Sequence, residues 1–261
     1  MRLQVLSSGS EGNSTLVRGG ETTLIVDAGL GRIEMEARLE SARIVATSID
    51  HVLVTHGHLD HARSVGMLAK RAHGTLHCAE AMMTHPSAKR AKSLATLRIG
   101  SAYDVPNRAG QDAIRIQPVA LPHDCDPTVA FGFEQGGRKA VILTDMGRPD
   151  EAVARVLADP HVLVLEFNWD PELMACGPYP EMLRRRIMGG RGHLSNAQGA
   201  AMLHLLAGAN LHTLVIAHLS KKTNAPERAL EAARAELERA GLGHVRTLLA
   251  SQEEIGPEIE V

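Results

Sequence analysis

The segment that most restricts the fold of this chain is a short apolar run that ends in a cluster of potential metal ligands. The run Val52-Leu-Val-Thr is typical of a buried strand, and it leads directly into His56-Gly-His58-Leu-Asp60-His61. Imidazole and carboxylate groups are natural protein ligands of divalent transition metals. His56 and His58 lie two residues apart in an extended turn and can reach one metal ion, while Asp60 and His61 can serve a second.

Three later apolar runs end in the same way, each at a residue that can bind a metal. They are predicted strands that end at His123, Asp145 and His218. Any one of these residues alone would more often be a capped turn or a satisfied buried polar group. Because one cluster cannot fill two coordination shells, three such strand ends in series after residues 56–61 favour a shared ligand set.

The order of strand and helix patterns indicates a mixed α/β (α+β) chain. Predicted strands cover 3–6, 14–17, 23–26, 51–54, 75–78, 113–120, 129–135, 140–143, 162–167 and 212–216. Predicted helices cover 34–40, 60–71, 79–92, 151–158, 195–207 and 226–240. The chain has two similar halves, and each begins with a strand-rich stretch that is followed by alternating helices and strands. This order suggests a four-layer αββα sandwich that forms a single domain over residues 1–261.

Composition and charge narrow the class of protein. Only six of 261 residues are aromatic, so the core must consist mainly of aliphatic residues and methionine, and extensive base stacking is disfavoured. A formal charge of -2 gives no global positive field for a nucleic acid. The three cysteines form no CxxC pair, which fits a reducing cytosol. With no visible signal peptide and no long apolar run, the protein is expected to be soluble and cytoplasmic, without a membrane partner.

The order of candidate ligands resembles that of the metallo-β-lactamase superfamily, which carries HxHxDH and then His, Asp and His. The resemblance implies two divalent metal ions, zinc first, with manganese or iron as alternatives. It implies one ion on His56, His58 and His123, the other on Asp60, His61 and His218, and Asp145 bridging both. Asp27, which ends the run Leu24-Ile-Val-Asp, matches an early family Asp that orients a ligand. A simple aspartate in a strand-end turn is the alternative for Asp27.

Three further segments resemble the YycJ-type branch of that superfamily, also called WalJ. They lie at residues 7–14, 177–180 and 192–196, and the resemblance covers essentially the whole chain. Members of this branch are small bacterial hydrolases considered nucleases, particularly of DNA, and they lie near the tRNase Z-like phosphodiesterases. The branch often has His where this chain has Trp169, so no metal role is expected at that position.

The resemblance implies a phosphodiesterase or nuclease that uses a metal-bridging hydroxide as its nucleophile, with a nucleic-acid substrate and DNA favoured over RNA. Related phosphodiesterases carry a general-acid His that is oriented by a Glu. Here these residues are His193 and Glu166, and Asp60 is counted with them as catalytic. A carboxylate behind an imidazole fixes the tautomer of the ring and raises its pKa.

Clusters of basic residues near these positions are candidate phosphate contacts. They are Arg184, Arg185, Arg186, Arg191 and Lys221. A solvated charged face is the alternative for Arg184–Arg186, and it is the preferred interpretation of the run of Lys89, Arg90 and Lys92 on the predicted helix. The loop at residues 8–14 could offer backbone N–H groups to phosphate or could be a hairpin turn, which is commoner.

Two other functions remain open from the sequence. A carboxyl-ester or thioester hydrolase, such as a lactonase or a glyoxalase II-like enzyme, needs the same metal core. A non-catalytic regulatory scaffold is the other alternative, although a complete ligand set speaks against it. The sequence does not determine which metal is bound or whether the substrate is DNA, RNA or a small molecule. It also does not determine the polarity of cleavage, the oligomeric state or the pathway.

Overall fold

The computed structural model describes residues 1–72, 74–107 and 112–261, and within them it has fourteen strands and eight helices. The strands are β1 (Arg2–Ser7), β2 (Ser14–Gly19), β3 (Thr22–Val26), β4 (His51–Leu53), β5 (Thr75–Cys78), β6 (Ser93–Thr96), β7 (Tyr103–Val105), β8 (Ile114–Leu121), β9 (Thr128–Gln135), β10 (Arg138–Leu143), β11 (Val162–Glu166), β12 (Thr213–Ala217), β13 (Arg246–Leu249) and β14 (Ile259–Glu260). The helices are α1 (Arg32–Ser41), α2 (Leu59–Ala62), α3 (Val65–Arg71), α4 (Glu151–Leu157), α5 (Pro171–Cys176), α6 (Glu181–Met188), α7 (Asn196–Leu206) and α8 (Pro226–Arg239). In the described part of the chain, no helix is long and apolar enough to cross a bilayer.

The strands form two seven-stranded sheets. One has the order β14-β1-β2-β3-β4-β5-β6 and the other β13-β12-β11-β10-β9-β8-β7. Strands β3 to β6 are parallel, as are β10 to β13. Because neighbouring parallel strands end at the same edge of a sheet, residues that follow them are brought together. This confirms the mixed α/β class and gives every predicted strand a counterpart.

The chain divides into two compact units. The first comprises residues 1–118, 133–138 and 251–261, and the second residues 119–132 and 139–250. The main core cluster of the first unit consists of aliphatic residues, methionines and one cysteine, with Leu6, Ile25 and Leu68 fully buried. The main cluster of the second unit includes Leu163, Phe167 and Leu203, also fully buried. A core of mostly aliphatic residues is thus confirmed, and the single domain over 1–261 stays a prediction.

The predicted helix over residues 79–92 is wrong. The structure has only two short 3₁₀ turns in this range, Glu80–Met82 and Ala88–Arg90. Pro86 lies between them, and a proline inside a helix removes a backbone donor and clashes with the preceding turn. The basic run from Lys89 therefore does not lie on a continuous helical face.

The predicted helix over residues 60–71 is divided in the structure into α2 and α3. Ser64 interrupts it, because its backbone N–H donates to Ala28 O and its hydroxyl to Leu30 O, at 2.8 and 2.7 Å. Helices α5 and α6 were not predicted from the sequence patterns. The start of α5 nevertheless carries a local signal, since Asp170 caps it and Pro171 occupies its first turn.

A hydrogen-bonded cluster in the first unit joins His51, His77 and Tyr103. His51 Nδ1 lies 3.0 Å from His77 Nε2, and the Tyr103 hydroxyl lies 3.1 Å from His77 Nδ1. Burial, together with the charge of His51, lowers the pKa of His77 from 6.5 to about 4. Burial raises the pKa of Tyr103. His77 is therefore a neutral interior group at neutral pH.

We expect His77 to make folding stability depend on pH in a defined window. The unfolded chain takes up this proton near pH 6.5 and the folded chain only near pH 4, so stability from this residue is complete above 6.5 and falls towards 4. The loss is at most about 3.5 kcal/mol, at roughly 1.4 kcal/mol per pKa unit. Urea unfolding at pH 7 and pH 4.5 should show a smaller change in free energy for His77→Gln than for the wild type. An identical pH dependence in both proteins would contradict this assignment.

Candidate functional site

The first half of the predicted ligand set lies in the first unit, directly after β4. His56 follows that strand by three residues, His58 lies in extended backbone immediately before α2, and Asp60 and His61 lie within α2. His56 Nε2 and His58 Nδ1 are 3.0 Å apart, and His61 Nε2 is 3.6 Å from Asp60 Oδ2. Two ligand atoms that each lie about 2 Å from one ion can be at most about 4 Å apart, so both spacings fit shared ions.

Asp27 sets the orientation of this cluster. It follows the parallel strand β3 with a φ of 61°, and its backbone N–H donates to Leu53 O. Its carboxylate accepts hydrogen bonds from the Thr55 N–H and the Thr55 hydroxyl, both at 2.8 Å, and lies 2.7 Å from His61 Nδ1. Since Nδ1 of His61 donates to the carboxylate, the lone pair of that ring is on Nε2, as metal binding requires.

Thr55 extends the same control to His56. Its hydroxyl donates to Asp27 and lies 3.0 Å from His56 Nδ1, so it accepts the proton of that nitrogen and leaves the lone pair on Nε2. Sequence reasoning missed Thr55. A hydroxyl residue placed directly before the first ligand His is a signal that could have identified it.

The glycine-rich loop at residues 8–13 connects the antiparallel strands β1 and β2, as the hairpin interpretation expects. Its backbone N–H groups mostly donate within the protein, including Asn13 N to Asp60 O at 2.7 Å. The Asn13 side chain lies 3.1 Å from His61 Nε2. Gly29 is required beside it, because a Cβ there would lie 1.6 Å from Asp60 O. The loop supports the ligand turn, and this observation speaks against a phosphate cradle.

The second half of the predicted set lies in the second unit, at the carboxyl edge of three parallel strands. Asp145 follows β10, Glu166 ends β11 and His218 follows β12. Asp145 and His218 have φ values of 64° and 56°, which turn the chain at the strand ends. His218 Nε2 lies 3.6 Å from Asp145 Oδ1. With His193, these residues form a group whose donor atoms are close enough to share a metal ion.

Glu166 is fully buried and binds two histidines. Its Oε1 lies 2.7 Å from His193 Nδ1 and 3.1 Å from His218 Nδ1, while Oε2 accepts a hydrogen bond from Met146 N at 2.9 Å. Burial acts to raise the pKa of this carboxyl, but the charges and hydrogen bonds of His193 and His218 outweigh it and the pKa is lowered. Ionised Glu166 therefore directs Nε2 of both imidazoles away from itself.

His123 lies after β8 in the same unit. Its Nδ1 is 2.9 Å from Gly192 O and so donates to it, and its Nε2 is 3.9 Å from Asp145 Oδ1. Two arginines support this loop: Arg191 donates to His123 O at 2.8 Å, and Arg186 pairs with Asp124 at 2.5 Å. The second unit thus brings together His123, Asp145, Glu166, His193 and His218.

The five predicted phosphate contacts lie in the second unit, where Arg184 is half-buried and the other four residues are exposed. Arg184 on α6 donates to Ala175 O at 3.1 Å, and Arg185 pairs with Glu181 on the same helix. Arg186 and Arg191 contact the His123 loop, and Lys221 is exposed three residues after His218. The arginines already have protein partners, and contact with phosphate stays a prediction for all five residues.

Comparison with known proteins identifies the family. The model of the Beta-lactamase superfamily domain matches residues 22–219, a span that includes every predicted metal ligand. The chain is 30% identical over 252 residues to Exodeoxyribonuclease YycJ of Bacillus anthracis, covering 93% of this chain and 91% of that protein. The chain belongs to the metallo-β-lactamase superfamily. The YycJ relative also confirms the predicted branch.

Solved structures of the superfamily share the fold. The metallo-β-lactamase fold protein YhfI from Bacillus subtilis has a TM-score of 0.71 at 16% identity, covering 98% of this chain and 99% of that one. The short form of human tRNase Z has a TM-score of 0.64 at 15% identity, with the same coverage of both chains. The expected metallo-β-lactamase fold is confirmed. Together with the family match and the ligand clusters, this identifies a metal-dependent hydrolase.

We expect Asp27→Asn to weaken metal binding without unfolding this superfamily member. Asparagine tolerates the positive φ, but with its oxygen on Thr55 N its amide N–H₂ faces His61 Nδ1. The proton of His61 then moves to Nε2, and affinity should fall by about 10–100-fold. Competition with a chromophoric chelator measures this, with Asp50→Asn as the control, since the Asp50 carboxylate accepts a hydrogen bond from the Thr23 N–H, at the other end of β3 from Asp27. Equal affinities for the wild type and Asp27→Asn would refute the orienting role.

Proposed function

We propose that this hydrolase is a nuclease that cleaves phosphodiester bonds, with DNA as the preferred substrate. The observation that carries this is the Glu166–His193 pair, in which a buried carboxylate holds Nδ1 of a partly exposed imidazole at 2.7 Å. Hydrolysis of a phosphodiester expels an alkoxide, which needs a proton. The relative named an exodeoxyribonuclease supports DNA over RNA and removal of nucleotides from an end.

Divalent metal ions would be held by the two halves of the ligand set. By the family resemblance, His56, His58 and His123 would hold one ion, Asp60, His61 and His218 would hold the other, and Asp145 would serve as a ligand to both. The chemistry of the donors fits, because neutral imidazole nitrogens and carboxylates suit zinc first and also manganese or iron. When bound, such ions supply an activated water at neutral pH and neutralise charge on phosphate oxygens.

His193 acts as the proton donor to the leaving group. Because Glu166 accepts the Nδ1 proton, the proton to be transferred is carried by Nε2. The side chain is 21% exposed, so a substrate can reach it, while Glu166 is fully buried and cannot exchange its partner for water. Glu166 also stabilises the imidazolium form that delivers the proton.

Arginines near the His123 loop are suited to bind the substrate backbone. Arg186 and Arg191 pair with Asp124 and Asp126, yet their side chains stay 58% and 57% exposed. Exposed ion pairs contribute at most about 1 kcal/mol, so a phosphate can replace these partners at little cost. Arg184, Arg185 and Lys221 would extend contact along the backbone. Recognition of phosphates rather than bases agrees with the scarcity of aromatic residues.

A panel of substrates tests the proposed function. Purified protein with Zn²⁺ or Mn²⁺ is incubated with 5′- and 3′-labelled single- and double-stranded DNA and RNA, and separately with a lactone and a glutathione thioester. We expect DNA to shorten progressively from one end and the small esters to be hydrolysed slowly or not at all. Efficient hydrolysis of the lactone or thioester without cleavage of either nucleic acid would refute the proposal and favour a carboxyl-ester or thioester hydrolase.

A further inference from the structure

The chain's single tryptophan lies beside the proposed proton donor. Trp169 follows β11 three residues after Glu166 and is half-buried. Its indole Nε1 donates a hydrogen bond to the backbone carbonyl of His193 at 2.9 Å. The bond is made to the main chain, so it restrains the position of the His193 backbone and leaves the imidazole to Glu166.

The backbone around Trp169 strengthens this connection. Trp169 forms an isolated parallel bridge with Ser195, and its carbonyl accepts a hydrogen bond from Asn196 N at 2.8 Å. The neighbouring Asn168 N donates to Leu194 O at 2.9 Å. The loop that carries His193 is thus attached to the end of β11 at several consecutive residues, and the indole N–H of Trp169 adds a side-chain hydrogen bond to the same loop.

Asn168 makes the corresponding contact to the other histidine bound by Glu166. Its side-chain nitrogen donates to His218 O at 2.7 Å, and its carbonyl accepts a hydrogen bond from Ser220 N at 2.9 Å. The segment from Glu166 to Trp169 therefore contacts both the rings and the backbones of the two histidines. Glu166 fixes the rotation of the rings, while Asn168 and Trp169 fix the backbones from which the rings extend.

We propose that Trp169 is a positioning residue for His193 and acts through its indole N–H. The inference rests on the proposed function, in which His193 protonates the leaving group. Proton transfer needs a donor–acceptor distance of about 2.6–3.2 Å, and a displacement of about 1 Å can cost about 10²-fold in rate. Loss of the indole N–H should therefore slow the chemical step more than substrate binding.

Two substitutions separate the hydrogen bond from the bulk of the ring. The five-membered ring of tryptophan has its N–H two bonds from the atom attached to Cβ, and Nε2 of histidine occupies the corresponding position. Trp169→His therefore keeps a donor and removes the second ring. Trp169→Phe also leaves a single aromatic ring, close in size to the imidazole of Trp169→His, and removes the donor.

The kinetic test compares both variants on DNA and on the p-nitrophenyl ester of thymidine 5′-phosphate. On DNA we expect Trp169→Phe to lower kcat by about 10-fold or more with KM within about 2-fold, and Trp169→His to stay within about 3-fold of the wild type. On the ester, p-nitrophenolate leaves without a proton, so Trp169→Phe should lose little. Equal losses in both variants, a change confined to KM, or equal losses on both substrates would overturn the proposal.

Hydrogen exchange provides a test that does not depend on turnover. Amides of residues 192–194 should exchange faster in Trp169→Phe than in the wild type, and at the wild-type rate in Trp169→His. Unchanged exchange in Trp169→Phe would refute the restraint itself. If the wild type cleaves no nucleic acid, the proposed function fails, and the exchange rates still decide whether the indole N–H holds this loop.

Discussion

Replacing His193 with alanine is expected to lower kcat for DNA cleavage by about 10²–10⁴-fold, the range for loss of a general acid. The same variant should hydrolyse the p-nitrophenyl ester of thymidine 5′-phosphate at nearly the wild-type rate. The difference follows from the leaving groups, because a deoxyribose alkoxide needs a proton from His193 and p-nitrophenolate does not. Steady-state kinetics on both substrates under one set of metal conditions measures the contrast.

The chain offers a matched control for this substitution. His204 on α7 also has its Nδ1 2.9 Å from a carboxylate, that of Glu236, but its side chain is 53% exposed and lies outside both ligand clusters. His204→Ala should leave both activities unchanged. If His193→Ala cleaved DNA as fast as His204→Ala, His193 would not be the proton donor.

Replacing Asp145 with asparagine is expected to have the largest effect on activity. Asp145 is the ligand shared by two ions in the proposed site. Its replacement should therefore lower kcat by at least about 10³-fold, more than the 10–100-fold typical of an outer-shell residue. Asparagine tolerates the φ of 64° and has nearly the same volume, so the fold should be retained. Metal content by mass spectrometry and DNA cleavage are measured on the same preparations.

Asp159→Asn is the control for Asp145→Asn. Asp159 has a similar φ of 55°, and its carboxylate accepts hydrogen bonds from Asn210. Asp159 lies just before β11, at the other end of that strand from Glu166. It should keep full metal content and activity. Wild-type metal content together with wild-type cleavage in Asp145→Asn would exclude Asp145 as a shared ligand.

Much of the candidate site could be predicted because its residues follow strands directly. The apolar runs before His56, Asp145 and His218 identify strands, and parallel pairing brings their ends to one edge within each sheet. The pairing of His193 with Glu166, inferred from the resemblance, is matched by the 2.7 Å contact between them. Local patterns and family order therefore supplied the residues that the structure brings together in each half of the candidate site.

The supporting contacts of Asn168 and Trp169 could not be predicted because they depend on partners far along the chain. Trp169 acts on His193, 24 residues away, and Asn168 on His218, 50 residues away, and neither pair has a spacing that a local pattern contains. The partners of Arg186 and Arg191 are also distant in sequence, because Asp124 and the His123 carbonyl lie more than 60 residues away. The wrong prediction of a helix over residues 79–92 has a simpler cause. The sequence contains Pro86 in this range, and its effect on the backbone outweighs the helical periodicity around it.

Reconstitution of metal-free protein tests the central claim most directly. The protein is stripped with a chelator, dialysed, and titrated with Zn²⁺ or Mn²⁺ while cleavage of end-labelled DNA is followed. The account predicts no cleavage without metal and recovery that saturates at about two equivalents per chain, as a two-metal centre requires. Cleavage at the full rate in metal-free protein, in the presence of excess chelator, would contradict it.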